Sequence, residues 1–190
     1  MKLERILPFA RTLLENAIDE DDIAIDATMG NGYDTCFLAN LVGEGGKVYS
    51  FDIQDQALEA TKSRLAAQSL TNRVILTKTG HENVEKIIPE KLHGLVKGAI
   101  FNLGYLPGGD KSIVTNSNTT IMAVEQIFNM LAPEGIIILV IYHGHTEGAQ
   151  ERDELLTFAE NFSQEKAHVL KYQFINQKNN PPFIIAIEKR

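Results

Sequence analysis

The sequence predicts an α/β fold: an open, mostly parallel sheet of seven strands, with helices on both faces and the last strand antiparallel. Three observations carry this. Short apolar runs alternate with segments of helical period along all 190 residues. The runs are continuously apolar, as in strands covered on both faces. The last two runs are joined by a link too short for a helix, so they pair antiparallel.

Each element follows in order. Leu3, Ile6, Leu7, Ala10, Leu13, Leu14 and Ala17 share one helical face, with Pro8 in the first turn or at a kink. Residues 23–27 form a short buried strand, and 34–41 a helix closed by the glycines at 43, 45 and 46. A second strand covers 47–51, an amphipathic helix 55–68, and a third strand 73–77. A short helix over 82–88 stops at Pro89, and the fourth strand runs 96–101. A helix over 118–131 ends before Pro133 and Gly135, and the most apolar run, 136–142, is a central strand. A helix over 151–162 precedes strands at 169–174 and 183–187. The chain reads as one domain over 1–190, with its first twenty residues packed on it as a helix. Ligands of such sheets bind beyond the carboxyl ends of the strands, at the switch point.

Composition narrows the classes. Hydrophobic residues make up 44% and charged residues 23%, a globular balance. No apolar run reaches the ~18 residues of a membrane span, and the charged N-terminus, M-K-L-E-R, is unlike a signal peptide. The single Cys36 suits a reducing cytoplasm. His143 and His145 lack further metal ligands nearby in sequence, so no metal is expected. A net charge of -7 argues against a broad basic field for nucleic acid, and leaves room for a local patch.

Several polar motifs sit at strand ends. D-A-T-M-G-N-G-Y-D, from Asp26 to Asp34, follows the first strand. Gly30 and Gly32 allow a tight turn and close approach of a ligand, or a plain strand-to-helix loop. A dinucleotide G-x-G-x-x-G reading fails, because Thr35 stands at the third glycine position. F-D-I-Q places Asp52 after the second strand, 22 positions beyond Gly30, where an acid can accept ribose hydroxyls or cap the next helix; Asp55 is better placed to cap. T-G-H-E-N, from Thr79 to Asn83, offers polar groups for an adenine edge or a helix cap.

At the end of the fourth strand stands F-N-L-G-Y-L-P-G-G-D-K, from Phe101 to Lys111. The Asn102 carbonyl and the backbone carbonyl of Leu103 can accept the N–H groups of an amine and aim its lone pair. Tyr105 can stack on a planar base. The bland alternative is an Asx turn with a packing tyrosine. Y-H-G-H-T-E-G, from Tyr142 to Gly148, puts Tyr142, His143 and His145 at a substrate entrance, or makes a solvated loop. N-N-P-P in the last hairpin, with Asn180 and Pro181, is a turn by local chemistry or an RNA-facing tip.

These motifs together resemble the class I S-adenosylmethionine-dependent methyltransferases, over almost the whole chain. The resemblance implies a Rossmann-like sheet with a reversed last hairpin. It places Asp26, Gly30, Asn31 and Gly32 around the methionine end of S-adenosylmethionine, Asp52 and Gln54 at the ribose, and His81 and Glu82 on the adenine side. Thr28, Asp34, Thr35 and Asn102 complete the expected cofactor set. Thr28 departs from the pattern, standing at the usual first glycine of acid-x-G-x-G-x-G. Asn102 to Tyr105 is similar in spacing to the N/D-P-P-Y/F motif of amino-methyltransferases, with Leu103 and Gly104 in place of the prolines.

The chain resembles more specifically a small Gram-positive-type rRNA methylase family whose chemistry is methylation of 5-aminomethyl-2-thiouridine at the tRNA wobble position. That resemblance implies a cytoplasmic enzyme with Asn102 and Tyr105 catalytic, the tRNA anticodon stem-loop as partner, and a homodimer. Rim contacts to RNA would come from Lys111, Arg152, Lys171, Lys178 and the hairpin tip. Residue chemistry alone reaches an amine on something flat. It leaves open another nucleobase of rRNA or DNA, a small amine, or a module that binds cofactor without turnover.

Overall fold

Seven strands form one sheet in the computed structural model, which describes residues 2–106, 108, 114–143 and 146–190. They are β1 (Ile23–Asp26), β2 (Lys47–Asp52), β3 (Val74–Lys78), β4 (Val96–Leu103), β5 (Leu131–Ile141), β6 (Ala167–Tyr172) and β7 (Phe183–Lys189). Their order is β3-β2-β1-β4-β5-β7-β6. The first five are parallel, and β7 runs antiparallel to both β5 and β6. The order reverses between β1 and β4, so their carboxyl ends open a crevice there.

Strand side chains alternate between two cores. Ala24, Ile100, Ile138 and Ile184 face α1 (Ile6–Ala17), α2 (Tyr33–Leu41) and α3 (Asp55–Ala67). Ile25, Phe101, Leu139 and Ile185 face α4 (Val84–Ile87), α5 (Ser117–Met130) and α6 (Thr146–Glu160). Each large side chain so buried contributes roughly 1.5–3 kcal/mol. In α1 the buried residues Ile6, Ala10 and Leu14 recur every four positions, and Pro8 sits in the first turn, where a missing N–H costs nothing. Among the described residues no helix is long and apolar enough to cross a membrane.

Boundaries differ from the sequence reading where tertiary structure intervenes. β4 continues through Asn102 to Leu103, because β5 pairs with it that far: Asn102 opposes Val140 and Leu103 opposes Ile141. Asn102 is thus a ladder residue, not a strand terminus. β5 begins at Leu131, directly after α5, rather than at 136. Its register jumps from Val96↔Leu131 to Gly98↔Ile136. The intervening bulge holds Pro133 out of the ladder and puts Glu134 at a φ of 62°. The expected helix over 82–88 divides into a 3₁₀ turn, His81–Asn83, and the single turn α4. α6 starts at Thr146, before the expected 151.

Candidate active site

A cavity of about 1300 Å³ opens at the carboxyl ends of β1, β2 and β4. The β1–α2 loop, the ends of β2 and β4, the turn after β3 and the first helix all contribute to its wall. Thirteen of the predicted site residues line it: Thr28, Gly30, Asn31, Asp34, Asp52, Gln54, His81, Glu82, Asn102, Tyr105, Tyr142, His143 and Asn180.

Beneath the β1–α2 loop lies Asp26, which is fully buried and does not line the cavity. Its carboxylate accepts from Thr28 N at 3.2 Å and from the Thr35 hydroxyl at 2.6 Å. Thr35 is buried too, so both expected cofactor contacts hold the loop from below instead. Burial, and then the charge of Asp34, push the Asp26 carboxyl up to about 7. Gly32 is packed closely against α3. It has a φ of 78°, and a Cβ there would lie 2.9 Å from Thr61 Cα. Gly30, at φ 48°, remains in the cavity wall.

The Asp52 carboxylate ties two loops together. One oxygen accepts from Gly30 N at 3.1 Å and the other from Gln54 N at 2.9 Å. It therefore does not cap α3, whose N-cap is Gln54, and Asp55 instead pairs with Lys78 at 2.7 Å. A carboxylate has about four lone-pair sites, which leaves acceptor capacity for two hydroxyls. His81 donates from Nδ1 to Ala27 O at 3.1 Å, and its ring meets Phe101 edge-on. Burial lowers its pKa, so the ring is neutral and Nε2 is an acceptor. That atom is buried and unpartnered among the described residues.

Asn102 is held from two sides. Its backbone N–H donates to the Thr28 hydroxyl at 2.7 Å, and Nδ2 donates to Asp34 Oδ2 at 2.5 Å. Asp34 Oδ1 meets Arg11 Nη2 of α1 at 3.1 Å. The Leu103 carbonyl, expected to receive the amine, already accepts from Tyr142 N at 3.3 Å and keeps its second lone pair. Gly104 is clamped by Thr115: the Thr115 hydroxyl accepts from Gly104 N at 3.0 Å, and Thr115 N donates to Gly104 O at 3.1 Å. That hydroxyl in turn donates to buried Glu151 at 2.8 Å, and Thr120 donates to the same carboxylate. These bonds immobilise the segment where the related motif uses prolines. Tyr105 stands half-exposed at the rim, bridged to Val114. Burial and the nearby Asp34 charge raise the pKa of Tyr142, which stays a neutral phenol.

His143 reaches the wall with both ring nitrogens engaged. Nε2 donates to Pro181 O at 3.0 Å, and Arg152 Nη1 approaches Nδ1 at 3.4 Å. Burial lowers its pKa. It ties β5 to the last hairpin, and Pro181 itself does not line the cavity. Of the rim cations, Arg152 pairs with Asp153 at 2.7 Å and Lys171 lies over the Phe183 ring at 4.8 Å. Lys111 and His145 lie outside the described residues. Sequence reasoning missed Arg11, Thr115, Glu151 and Tyr33. Tyr33 is exposed at the cavity, with the Arg64 guanidinium 3.7 Å from its ring centroid.

The profile of the family described as "Putative rRNA methylase" matches residues 48–188. The chain belongs to this family. A solved structure with that family description, from Clostridium thermocellum, is 43% identical and superposes with a TM-score of 0.96 over 100% of both chains. A "putative methyltransferase" of Streptococcus mutans, solved in complex with S-adenosylhomocysteine, is 38% identical, with a TM-score of 0.90 and 99% of each chain covered. A curated relative, the chloroplastic tRNA (mnm(5)s(2)U34)-methyltransferase of Arabidopsis thaliana, is 36% identical over 95% of this chain and 68% of its own length. A ribosomal RNA small subunit methyltransferase H of Oceanobacillus iheyensis is 29% identical over 62% of this chain and 37% of its own. The rRNA methylase family has the class I methyltransferase fold and uses S-adenosylmethionine. The cavity fits that molecule: Asp52 retains acceptors for hydroxyls, and the orphaned His81 Nε2 awaits an N–H donor.

Proposed function

We propose that the protein methylates the aminomethyl nitrogen of 5-aminomethyl-2-thiouridine at the tRNA wobble position, giving 5-methylaminomethyl-2-thiouridine. The observation that carries this reading is the tethering of Asn102. Its backbone N–H and one N–H of its side-chain amide are engaged, and its side-chain carbonyl is left as an acceptor on a residue lining the cavity. The cavity, at about 1300 Å³, also exceeds the roughly 300–1000 Å³ of a site for one small ligand. There is room for a planar base beside the cofactor.

S-adenosylmethionine supplies, when bound, a methyl on a sulfonium, which a neutral amine takes through its lone pair while the carbon–sulfur bonding pair returns to sulfur. Asn102 Oδ1 accepts one N–H of the amine, which aims the lone pair. The same oxygen stabilises the positive charge that grows on nitrogen. Tyr105 offers a face for the base at the rim. Asp52 and His81 would hold the adenosine end, and Thr28 and Gly30 line the same cavity. The surplus proton leaves the amine for an acid, a tyrosine or water.

The tRNA assignment is supported by the name of the Arabidopsis relative, which aligns with nearly the whole chain. A second reading, methylation of ribosomal RNA, is favoured by the relatives named for that substrate, which align over shorter stretches. The tRNA reading also takes the anticodon stem-loop as partner and, unlike the chloroplastic Arabidopsis relative, a cytoplasmic location. It includes a homodimer, which sedimentation of the purified chain would test. The direct experiment offers purified protein and methyl-labelled cofactor to tRNA carrying the aminomethyl group and to ribosomal RNA. Label should enter the tRNA and depend on the aminomethyl group. Label entering only ribosomal RNA would reverse the assignment.

A further inference from the structure

Asp34 and Arg11 have no part in the amine chemistry just described, yet both line the cavity and both are linked to Asn102. Asp34 stands in the first turn of α2 and is largely buried at its side chain, with 15% exposed. Its two oxygens point to different partners: Oδ1 to Arg11 at 3.1 Å and Oδ2 to Asn102 Nδ2 at 2.5 Å. A primary amide has one end that donates and one that accepts, whereas a carboxylate only accepts. Only one of the two amide orientations can therefore face Asp34. The NH₂ group must turn toward it and Oδ1 away from it. An amide contacting only neutral groups could rotate half a turn and present donors, which an incoming amine cannot use.

We infer that Asp34 is a positioning residue that fixes the Asn102 carbonyl for amine capture, and that Arg11 of α1 holds Asp34 in place. This rests on the amine reading of the site. The bond to a carboxylate is charge-assisted and short. It also polarises the amide and concentrates negative charge on Oδ1, where positive charge develops opposite. Arg11 is itself fixed by its guanidinium lying over the Phe37 ring at 5.0 Å. The first helix, which precedes the sheet in sequence, thus reaches the reacting end of the site through one ion pair and one hydrogen bond.

The test is a double-mutant cycle on labelled methyl transfer in single turnover, with S-adenosylhomocysteine affinity measured by calorimetry. Asp34→Asn should slow transfer at saturating S-adenosylmethionine about tenfold to a hundredfold, the loss expected for a charged hydrogen bond. Arg11→Met should act in the same direction and more weakly. In an Asn102→Ala background, Asp34→Asn should cost nothing more. Effects that multiply would overturn the inference, because Asp34 would then act without Asn102. A loss of cofactor affinity with an unchanged rate at saturation would also overturn it. Full activity of Asn102→Ala alone would instead sink the amine reading. A second measurement needs no change at Asp34. In asparagine-¹⁵N-labelled protein, one Asn102 side-chain amide proton should resonate well downfield of the other asparagine amides, and a position in the ordinary range would overturn the inference.

Discussion

Thr28 breaks the glycine pattern of its motif, and its hydroxyl has a task no glycine could perform. It accepts the backbone N–H of Asn102, 74 positions away in sequence. The β1–α2 loop and Asn102 are thereby joined. The departure was visible in the sequence, but its use was not, since a side chain's distant partner is set by topology. Asn102 itself was legible, because a polar amide in an apolar strand asks for a reason. We expect Asn102→Ala to lower the rate of methyl transfer by about 10²–10³-fold, with S-adenosylhomocysteine binding retained in calorimetry. Loss of binding with an unchanged rate would remove Asn102 from the chemistry. Asp26 makes a separate prediction. Its folded pKa of about 7 lies above the ordinary 3.8, so the folded state holds the proton more tightly. Its contribution to stability is full below about pH 3.8 and is lost as the pH rises through about 7. Asn cannot ionise, so in urea unfolding the stability of wild type relative to Asp26→Asn should fall between about pH 4 and pH 8. A difference flat across that range would contradict the assignment.

At the scale of elements, β4 and the β1–α2 loop hold the site, and their errors in sequence reading have physical causes. Residues 99–101 are apolar, so the strand was expected to stop before the polar Asn102. Pairing with β5 carries it on through Asn102 and Leu103. Long-range pairing overrides local polarity here, as strand propensity depends on neighbours. Pro133 and Gly135 were read as helix terminators, whereas they belong to a bulge inside β5. Gly32 was read as a ligand approach, yet its open side is filled by Thr61 of α3. Gly32→Ala should therefore destabilise the fold by about 1–3 kcal/mol in urea unfolding, through crowding against Thr61 and a strained positive φ. A neutral effect would show that α3 can draw back. The buried Glu151–Thr115–Gly104 chain was hidden from sequence reading because its members come from three separate segments, β4's exit, α5's approach and α6.

At the scale of the whole molecule, the strand count followed from the alternation of apolar runs and the reversed hairpin from the short link before β7, whereas the strand order is a property of the fold that no local pattern spells out. The same topology gathers Asp52, His81 and Asn102 from three strand ends into one cavity. What remained illegible was the contribution of α1, since nothing local to Arg11 marks a residue that reaches Asp34 across the fold. The net charge of -7 is compatible with RNA if contact is confined to the cavity rim, where Tyr33 and Tyr105 are exposed and stacking needs no broad basic field. The central claim is that this cavity methylates a wobble aminomethyl group. Nucleoside mass spectrometry of tRNA from a strain lacking the protein tests it most directly. Loss of 5-methylaminomethyl-2-thiouridine, with accumulation of its 5-aminomethyl precursor, is the predicted result. An unchanged tRNA profile beside a missing methyl group in ribosomal RNA would contradict it.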